Sequence, residues 1–337
     1  MSRTARPSED ASSPNDTLKD ILSSNNTSDN VKGAALPAPD DVINGNGTLG
    51  IVPSDSEACY KRKHLRETAG STECKPLDGV SDDCVLVYDG TLEGFLTCIF
   101  RCFESKVYPS EISPQNEAQP SLLSETVNVE TSKELAFRVR DGIASKLGKD
   151  EFNRILLGFL SDDPQRGIKL LRYIRIAMHE GRYAFCNHAN PYVADYERLW
   201  TQVSNERHHM LQFARFAELE NGVFICKIAP NANVVPAMMG HFTNRFNTES
   251  FIIFDEVHDI AGVYSNGDWC MVETDSLNLP QESEDEKRYS AMWRTFYNTI
   301  CNEQRLNPKL RSGWMPKRFW GNITEMIDEI PDDLRRK

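Results

Sequence analysis

The sequence predicts an α+β protein: mainly a helical bundle, with an N-terminal strand-helix unit and a C-terminal antiparallel sheet flanked by helices. Two observations support this class. Apolar residues recur with the helical period through most of the segment from Ser132 to Leu219. In the last third, short apolar runs and turn residues follow the order strand, helix, strand, strand, strand, which favours an antiparallel sheet with a helix against it.

The N-terminal region differs in composition from the rest of the chain. Residues 1–80 are rich in Ser, Asn, Asp, Gly and Pro and show neither a helical nor a strand period. Such a segment cannot bury enough apolar surface to offset its loss of conformational entropy, so we expect it to be disordered. The expected organisation is a tail over 1–80, a domain over 81–325 divided at about 219/220 into a mainly helical part and the sheet with its C-terminal helices, and a second tail over 326–337.

The first elements of the domain follow from apolar runs and capping residues. An apolar run of strand length is followed by Asp89-Gly90, a turn signal, and then by a helical stripe. Further on, alternating residues favour a strand. The expected elements are a strand over 84–88, a helix capped by Thr91, a loop over 109–120, and a strand over 125–131 that ends at Thr131, the N-cap of the next helix.

Four helical segments then follow, separated by Gly148, by Asp163-Pro164 and by residues 181–191. The last third of the chain alternates shorter elements, and Ser265-Asn266-Gly267 is a hairpin signal. The expected elements there are a strand over 222–230, a helix over 234–246, three strands within 251–274, an acidic loop over 280–288, a helix over 289–306 and a closing segment over 307–326.

Composition restricts the class of protein. The N-terminus lacks the apolar core of a signal peptide, and no run approaches the ~20 apolar residues that span a bilayer. The nine cysteines are odd in number and scattered, mostly within apolar runs, as reduced core cysteines are. We therefore expect a cytoplasmic protein with no membrane partner.

Charge is distributed unevenly. The net charge of -12 argues against a uniformly basic nucleic-acid-binding protein. Residues 293–320, however, hold six cations and one acid. Within this segment, residues 305–320 interleave cations with two tryptophans and a phenylalanine. Lysine and arginine bind phosphates while aromatic faces stack on bases, although the same residues could form cation-π contacts inside the protein. The expected nucleic-acid-binding residues are Arg215, Arg245, Arg305, Lys309, Trp314, Lys317, Arg318 and Trp320.

A second group of candidates consists of histidines and carboxylates. Glu206 and His209 have the i, i+3 spacing of carboxylate-bridged di-iron helices, but no second Glu-x-x-His follows on a facing helix. A polar helix face is the simpler alternative, and we expect neither metal nor cofactor. His241, Arg245, Asp255 and His258 could form a buried salt-bridged network. In an exposed cleft, His241 with Asp255 could instead perform general acid-base chemistry. The candidate catalytic residues are Glu206, His208, His241 and Asp255.

Five short motifs occur in a fixed order along the domain: YDGTLEGFL (88–96), ERHHMLQFARFAELENGVF (206–224), IAPNANVVPAMMGHFTNRF (228–246), IIFDEVHDIAGVY (252–264) and NPKLRSGWMPKRFW (307–320). Together they resemble a bacterial family of DNA metabolism proteins. The resemblance covers about Val85 to Glu325. That family is a domain of unknown function, encoded beside a radical-SAM DNA modification or repair protein and sometimes fused to a uracil-DNA glycosylase. His209 stands where that family has arginine.

The resemblance implies an accessory role in DNA repair or modification. The implied partners are a radical-SAM enzyme, a uracil-DNA glycosylase carried on a separate chain, and DNA. The residues leave two alternatives open: a hydrolase or nuclease that uses His208, His241 and Asp255, with or without a metal, and a structural scaffold for a partner enzyme. Whether the protein is an enzyme is therefore left undecided by the sequence.

Overall fold

The structure is a computed structural model that describes residues 41–44, 48–51, 77, 83–118, 124–274, 277 and 279–329. Within these ranges the chain forms two compact units. Leu36–His208 with Asn231–Gly240 form the parallel-sheet unit, and His209–Pro230 with His241–Lys337 form the mixed-sheet unit. Helices and strands occupy both units, which confirms the predicted mixture of helix and sheet.

The parallel-sheet unit surrounds a three-stranded sheet. Its elements are β1 (Asp41–Asn44), β2 (Thr48–Ile51), β3 (Val85–Tyr88), α1 (Leu92–Glu104), β4 (Glu111–Pro114), β5 (Thr126–Asn128), α2 (Lys133–Leu147), α3 (Lys149–Phe159), α4 (Arg166–Glu180), and most of α5 (Pro191–Phe213). Strand β3 lies in the middle, with β4 and β5 parallel to it on either side. Strands β1 and β2 pair as an antiparallel hairpin within the segment expected to be disordered; nearly all the rest of that segment, and residues 330–337, lie outside the described residues.

Two helix starts in this unit test the capping predictions. Thr91 caps α1 as expected, because its hydroxyl accepts a hydrogen bond of 3.0 Å from the Gly94 N–H. The cap of α2 is Ser132, so the prediction of Thr131 was wrong by one residue. The Thr131 hydroxyl instead donates to Asp89 at 2.8 Å. Asp89 therefore connects the end of β3 to the start of α2.

The loop predicted over 109–120 contains a strand. Glu111–Pro114 forms β4, in which Ile112 is buried and pairs with Leu86 of β3. Residues 109–120 hold three prolines and seven polar residues, a composition that indicates a loop. The strand forms because pairing with β3, rather than local preference, fixes it.

The core of this unit also encloses a polar cluster. Glu151 of α3 accepts hydrogen bonds from the hydroxyls of Tyr173 (2.5 Å) and Tyr196 (2.7 Å), whose rings stack 3.6 Å apart. Arg154 pairs with the same carboxylate at 3.0 Å. Burial, together with the nearby carboxylate, raises the pKa of both tyrosines above the ordinary value. The cluster joins α3, α4 and α5 through hydrogen bonds within an apolar core.

The mixed-sheet unit contains the five-stranded sheet and the C-terminal helices. Its elements are β6 (Ala217–Glu218), β7 (Phe224–Ile228), the end of α6 (Val235–Arg245), β8 (Phe251–Asp255), β9 (Ile260–Ser265), β10 (Asp268–Glu273), α7 (Glu284–Ile300), α8 (Pro308–Trp314), and 3₁₀ turns over Glu303–Arg305, Lys317–Asn322 and Thr324–Glu329. The strand order is β10-β9-β8-β7-β6.

This sheet differs in one pair from the antiparallel arrangement that the sequence predicts. Strands β7 and β8 are parallel, whereas the other neighbours are antiparallel. The helix α6 lies between β7 and β8 in the chain, and a helical crossover returns the chain to the end where the previous strand began. The sheet is therefore mixed.

The acidic loop expected over 280–288 is partly helical. Ser283 caps α7 by accepting a hydrogen bond of 3.0 Å from the Glu286 N–H, and Glu284, Asp285 and Glu286 form the first turn. Acidic side chains in the first turn stabilise the helix because their negative charge is attracted to the positive end of the helix dipole.

Two helical glycines provide a matched test of this packing. A Cβ added to Gly167 of α4 would collide with the backbone of Ile112 in β4, whereas a Cβ on Gly142 of α2 would meet nothing. We expect Gly167→Ala to lower the free energy of unfolding by about 1–3 kcal/mol through overpacking. Gly142→Ala should raise it by up to about 1 kcal/mol through helix propensity. Urea unfolding measures the change in the free energy of unfolding for each variant. Equal changes in the two variants would contradict the close approach of α4 to β4.

Candidate nucleic-acid interface

A buried carboxylate organises the C-terminal part of the mixed-sheet unit. The Glu325 side chain is 4% exposed and accepts from Arg215 through Nε (3.2 Å) and Nη2 (2.5 Å). Its Oε2 also accepts from the indole Nε1 of Trp293 at 3.0 Å. Both carboxylate oxygens are therefore used, as a buried charge requires.

The pKa of Glu325 reflects two opposing effects. Burial favours the neutral acid, but hydrogen bonds from Arg215 and Trp293 favour the carboxylate more strongly, and the pKa lies below its ordinary value. Arg215 was predicted to bind nucleic acid. Its guanidinium is instead committed to Glu325 and to the carbonyls of Gln212 and Ala214, so it has a structural role.

Two rings of the basic segment also face inward. Trp320 is buried, and its Nε1 donates to the carbonyl of Met315 at 3.0 Å. Phe319 is buried beside His209 and Phe213, with ring centroids 5.8 and 5.9 Å away. The predicted contact of Trp320 with a nucleic acid is therefore inconsistent with its position. His209, whose spacing suggested a metal site, packs in an aromatic cluster.

Cations lie over these buried rings from outside. The guanidinium carbon of Arg311 is 5.1 Å and the Lys317 amine 5.8 Å from the Trp320 ring, and Arg318 lies 4.3 Å from the Phe319 ring. Lys317 and Arg318 are exposed. The rings therefore pack inside the protein with cations over them, which is the cation-π alternative drawn from the sequence, and Lys317 and Arg318 lie at the surface.

The remaining predicted residues of the segment are exposed. Trp314 is 75% exposed at the end of α8, and Lys309 is exposed on the same helix. Asn307 caps this helix by accepting a hydrogen bond of 3.1 Å from the Leu310 N–H, with Pro308 in the first turn. Arg305 lies just before the cap and is also exposed. The proline and the cap thus fix the positions from which Lys309 and Trp314 project.

Trp314 is one wall of a groove of about 390 Å³. Apolar side chains and hydrogen-bonding groups share its lining. The lining residues are Cys301, Asn302, Arg305, Leu306, Asn307, Leu310, Arg311 and Trp314. The lining thus combines the Trp314 indole with two asparagines and two arginines. The remaining predicted cation, Arg245, is exposed at the end of α6 in the same unit.

The candidate catalytic residues have local structural partners. Glu206 is buried in the parallel-sheet unit and accepts from the Asn231 N–H at 2.9 Å. In the mixed-sheet unit, Asp255 is fully buried and accepts from His258 Nδ1 at 2.6 Å and from the Val257 N–H at 2.9 Å. These bonds fix the turn between β8 and β9. For Asp255 they agree with the first of the two alternatives drawn from the sequence, a buried salt-bridged network.

The two remaining histidines are exposed. His208 belongs to the parallel-sheet unit, and His241 belongs to the mixed-sheet unit, where its ring lies edge-on to Phe242 at 5.0 Å. Among the described residues, no group of three or more His, Cys, Asp or Glu side chains is arranged to hold a metal ion. In the same parts of the chain, no helix is long and apolar enough to cross a membrane.

One feature of this region, an exposed apolar face on α7, was not predicted from the sequence. Tyr289, Met292, Phe296 and Ile300 of α7 are all exposed, although they are large apolar residues. Their spacing of three or four residues is visible in the sequence and predicts a single helix face. Pattern analysis assumes that such a face packs inside its own domain, and so it gave no signal that this one lies outside.

Residues 164–325 match the family model of DUF4130, a domain of unknown function. The match begins just before α4 and ends at the second residue of the last 3₁₀ turn, so it includes the basic segment 293–320 but not the three-stranded parallel sheet. No curated protein matches the chain.

The Glu325 cluster makes acid sensitivity testable. Because the folded pKa of Glu325 lies below the unfolded value, its stabilisation is complete above the unfolded pKa and is lost as pH falls through the folded pKa. We expect Glu325→Gln to lower the free energy of unfolding at pH 7 by about 1.5–3 kcal/mol. The gap in this free energy between wild type and variant should narrow towards acid pH. Unfolding curves between neutral and acid pH measure the gap. The exposed Glu273→Gln serves as control, and a gap that stays constant with pH would contradict this role for the carboxylate.

Proposed function

We propose that the protein binds single-stranded nucleic acid through the groove at α8, as an accessory protein of DNA repair or modification. The observation that carries this proposal is Trp314: a tryptophan that is 75% exposed, in a groove beside Arg305 and Arg311, with Lys309 on the same helix. An exposed indole costs solubility unless it has a partner, and a base is a planar partner for it.

Local charge supports the same ligand. The segment 293–320 carries a net charge of +5 in a chain of net charge -12, so the cations are concentrated where the exposed ring lies. Arg305, Lys309 and Lys317 are exposed and can bind phosphates. The acidic remainder repels a polyanion, and this limits binding to one part of the surface.

A single strand fits the groove better than a duplex does. Stacking on Trp314 requires a base that is not paired, and Leu306 and Leu310 offer apolar contact to the edges of such a base. The motif NPKLRSGWMPKRFW (307–320), which contains α8, is one of the five that resemble the DNA metabolism family. This resemblance supports DNA as the biological ligand and a radical-SAM modification or repair enzyme as the partner. The hydrolase alternative has no comparable support, because Glu206 and Asp255 are occupied in local hydrogen bonds.

Stacking and charge can be separated by two variants. Trp314→Ala should weaken binding of a labelled single-stranded oligonucleotide by about 5- to 150-fold, since stacking contributes about 1–3 kcal/mol per base. Its salt dependence should not change. Lys309→Ala should reduce the slope of log K against log salt by about 0.7, the value for one phosphate contact on a single strand. Fluorescence anisotropy across a salt series measures both effects.

An abasic oligonucleotide and two matched variants serve as controls. Trp314→Ala should make no difference to binding of the abasic strand, because there is no base to stack. Tyr183→Ala removes a ring that is 85% exposed in the parallel-sheet unit, and Lys227→Ala removes an exposed cation on β7. If these controls weaken binding as much as Trp314→Ala and Lys309→Ala do, the groove at α8 is not the binding site.

A further inference from the structure

The helix α7 packs through one flank and leaves its most apolar face outside. Its half-buried residues are Glu286, Ser290, Arg294 and Tyr297, which share one side of the helix. The Tyr297 hydroxyl contacts the Met326 sulfur at 3.9 Å, and the Ser290 hydroxyl donates to Glu286 at 2.7 Å. A mainly polar flank thus faces the protein, the reverse of the usual arrangement in a surface helix.

The exposed face is continuous along the helix. Tyr289, Met292, Trp293, Phe296 and Ile300, which we call the α7 stripe, are 67%, 65%, 44%, 52% and 62% exposed. With aromatic side chains of about 150–250 Å² each, the stripe presents roughly 600 Å² of mostly apolar surface. The largest apolar patch on a typical soluble monomer is about 300–600 Å² and is often functional, and the α7 stripe reaches the upper end of this range.

From these observations we infer that the α7 stripe is the interface of a homodimer, in which α7 of one copy packs antiparallel against α7 of a second copy. Two stripes would together bury roughly 1,200 Å², the lower bound for specific stable interfaces of about 1,200–2,000 Å². A twofold axis through the middle of the stripe makes the same patch serve both copies. This inference does not depend on nucleic-acid binding.

Charge favours the antiparallel direction. Glu284, Asp285 and Glu286 form the first turn of α7, so a parallel pair would place two acidic turns side by side. An antiparallel pair separates them by the length of the helix, about 25 Å. It also sets Tyr289 opposite Ile300, which places Arg288 at the level of the last turn of the second copy. The last turn of α7 carries no basic residue, so Arg288 from the second copy would supply a cation near its free carbonyl groups.

Sedimentation velocity of the full chain tests the interface. We expect the wild-type protein to be mainly dimeric at about 100 µM, a concentration well above the micromolar Kd typical of weak specific pairs. We expect Phe296→Asp to be monomeric, because a carboxylate at the centre of the stripe cannot be buried without a partner. Phe296 is half exposed, so the fold should tolerate the change. Phe137→Asp, an exposed phenylalanine of α2, should remain dimeric. A wild-type monomer, or a dimer that persists in Phe296→Asp, would overturn the inference.

A cross-link tests the direction. The double variant Tyr289→Cys/Ile300→Cys should form intermolecular disulfides between position 289 of one copy and position 300 of the other, and mass spectrometry of the linked peptides should identify them. Within one chain the two positions are about 16 Å apart along α7, beyond the reach of a disulfide. The control Arg172→Cys/Ile300→Cys, with Arg172 at an exposed position of α4, should form no link between its two introduced cysteines. Links between the two copies of position 289, or between the two copies of position 300, would instead show a parallel pair and overturn the antiparallel arrangement.

The proposed dimer and the proposed nucleic-acid binding can be overturned separately. Phe296→Asp should abolish dimerisation but leave the contribution of Trp314 to binding of a short oligonucleotide unchanged, whereas Trp314→Ala should leave the sedimentation coefficient unchanged. A monomeric wild type that still binds oligonucleotide through Trp314 would overturn only the dimer. A dimeric wild type that does not bind oligonucleotide would overturn only the proposed function.

Discussion

The ion pair between Arg215 and Glu325 holds together three distant parts of the mixed-sheet unit. Arg215 precedes β6, Trp293 lies in α7, and Glu325 lies in the last 3₁₀ turn; all three meet at one carboxylate. A buried carboxylate is costly unless each oxygen has a donor. Because the donors come from α7 and from the chain before the sheet, the position of α7 and that of the C-terminal turns are fixed by the same group.

This anchoring explains why the C-terminal segment divides into buried and exposed parts. Trp293 donates to Glu325, and Trp320 donates to Met315, so each has one fixed polar contact. Once these indoles and Phe319 are placed, the short α8 is left with Lys309 and Trp314 projecting to solvent. Hydrogen bonding, and not composition, therefore decides which residues of this segment are buried in the protein and which are exposed to solvent.

The sequence predicts most elements because their signals are local. Thr91 caps α1, the Asn266-Gly267 turn joins β9 to β10, and Pro164 precedes α4, as expected from the chemistry of each residue type. The failures involve partners far away in the chain. β4 is fixed by pairing with β3, and Thr131 is removed from capping by Asp89. The roles of Arg215 and Trp320 were missed for the same reason, since an exposed arginine and a paired one look alike in sequence.

The two edges of the five-stranded sheet have a consequence for how the protein can self-associate. β6 is only two residues long, and β10 begins and ends with exposed carboxylates, Asp268 and Glu273. Short edges and charged edges are poor templates for strand addition, so this sheet resists the growth of fibres by edge-to-edge pairing. In concentrated solution the unit should stay in small particles of defined size instead of polymerising through its backbone.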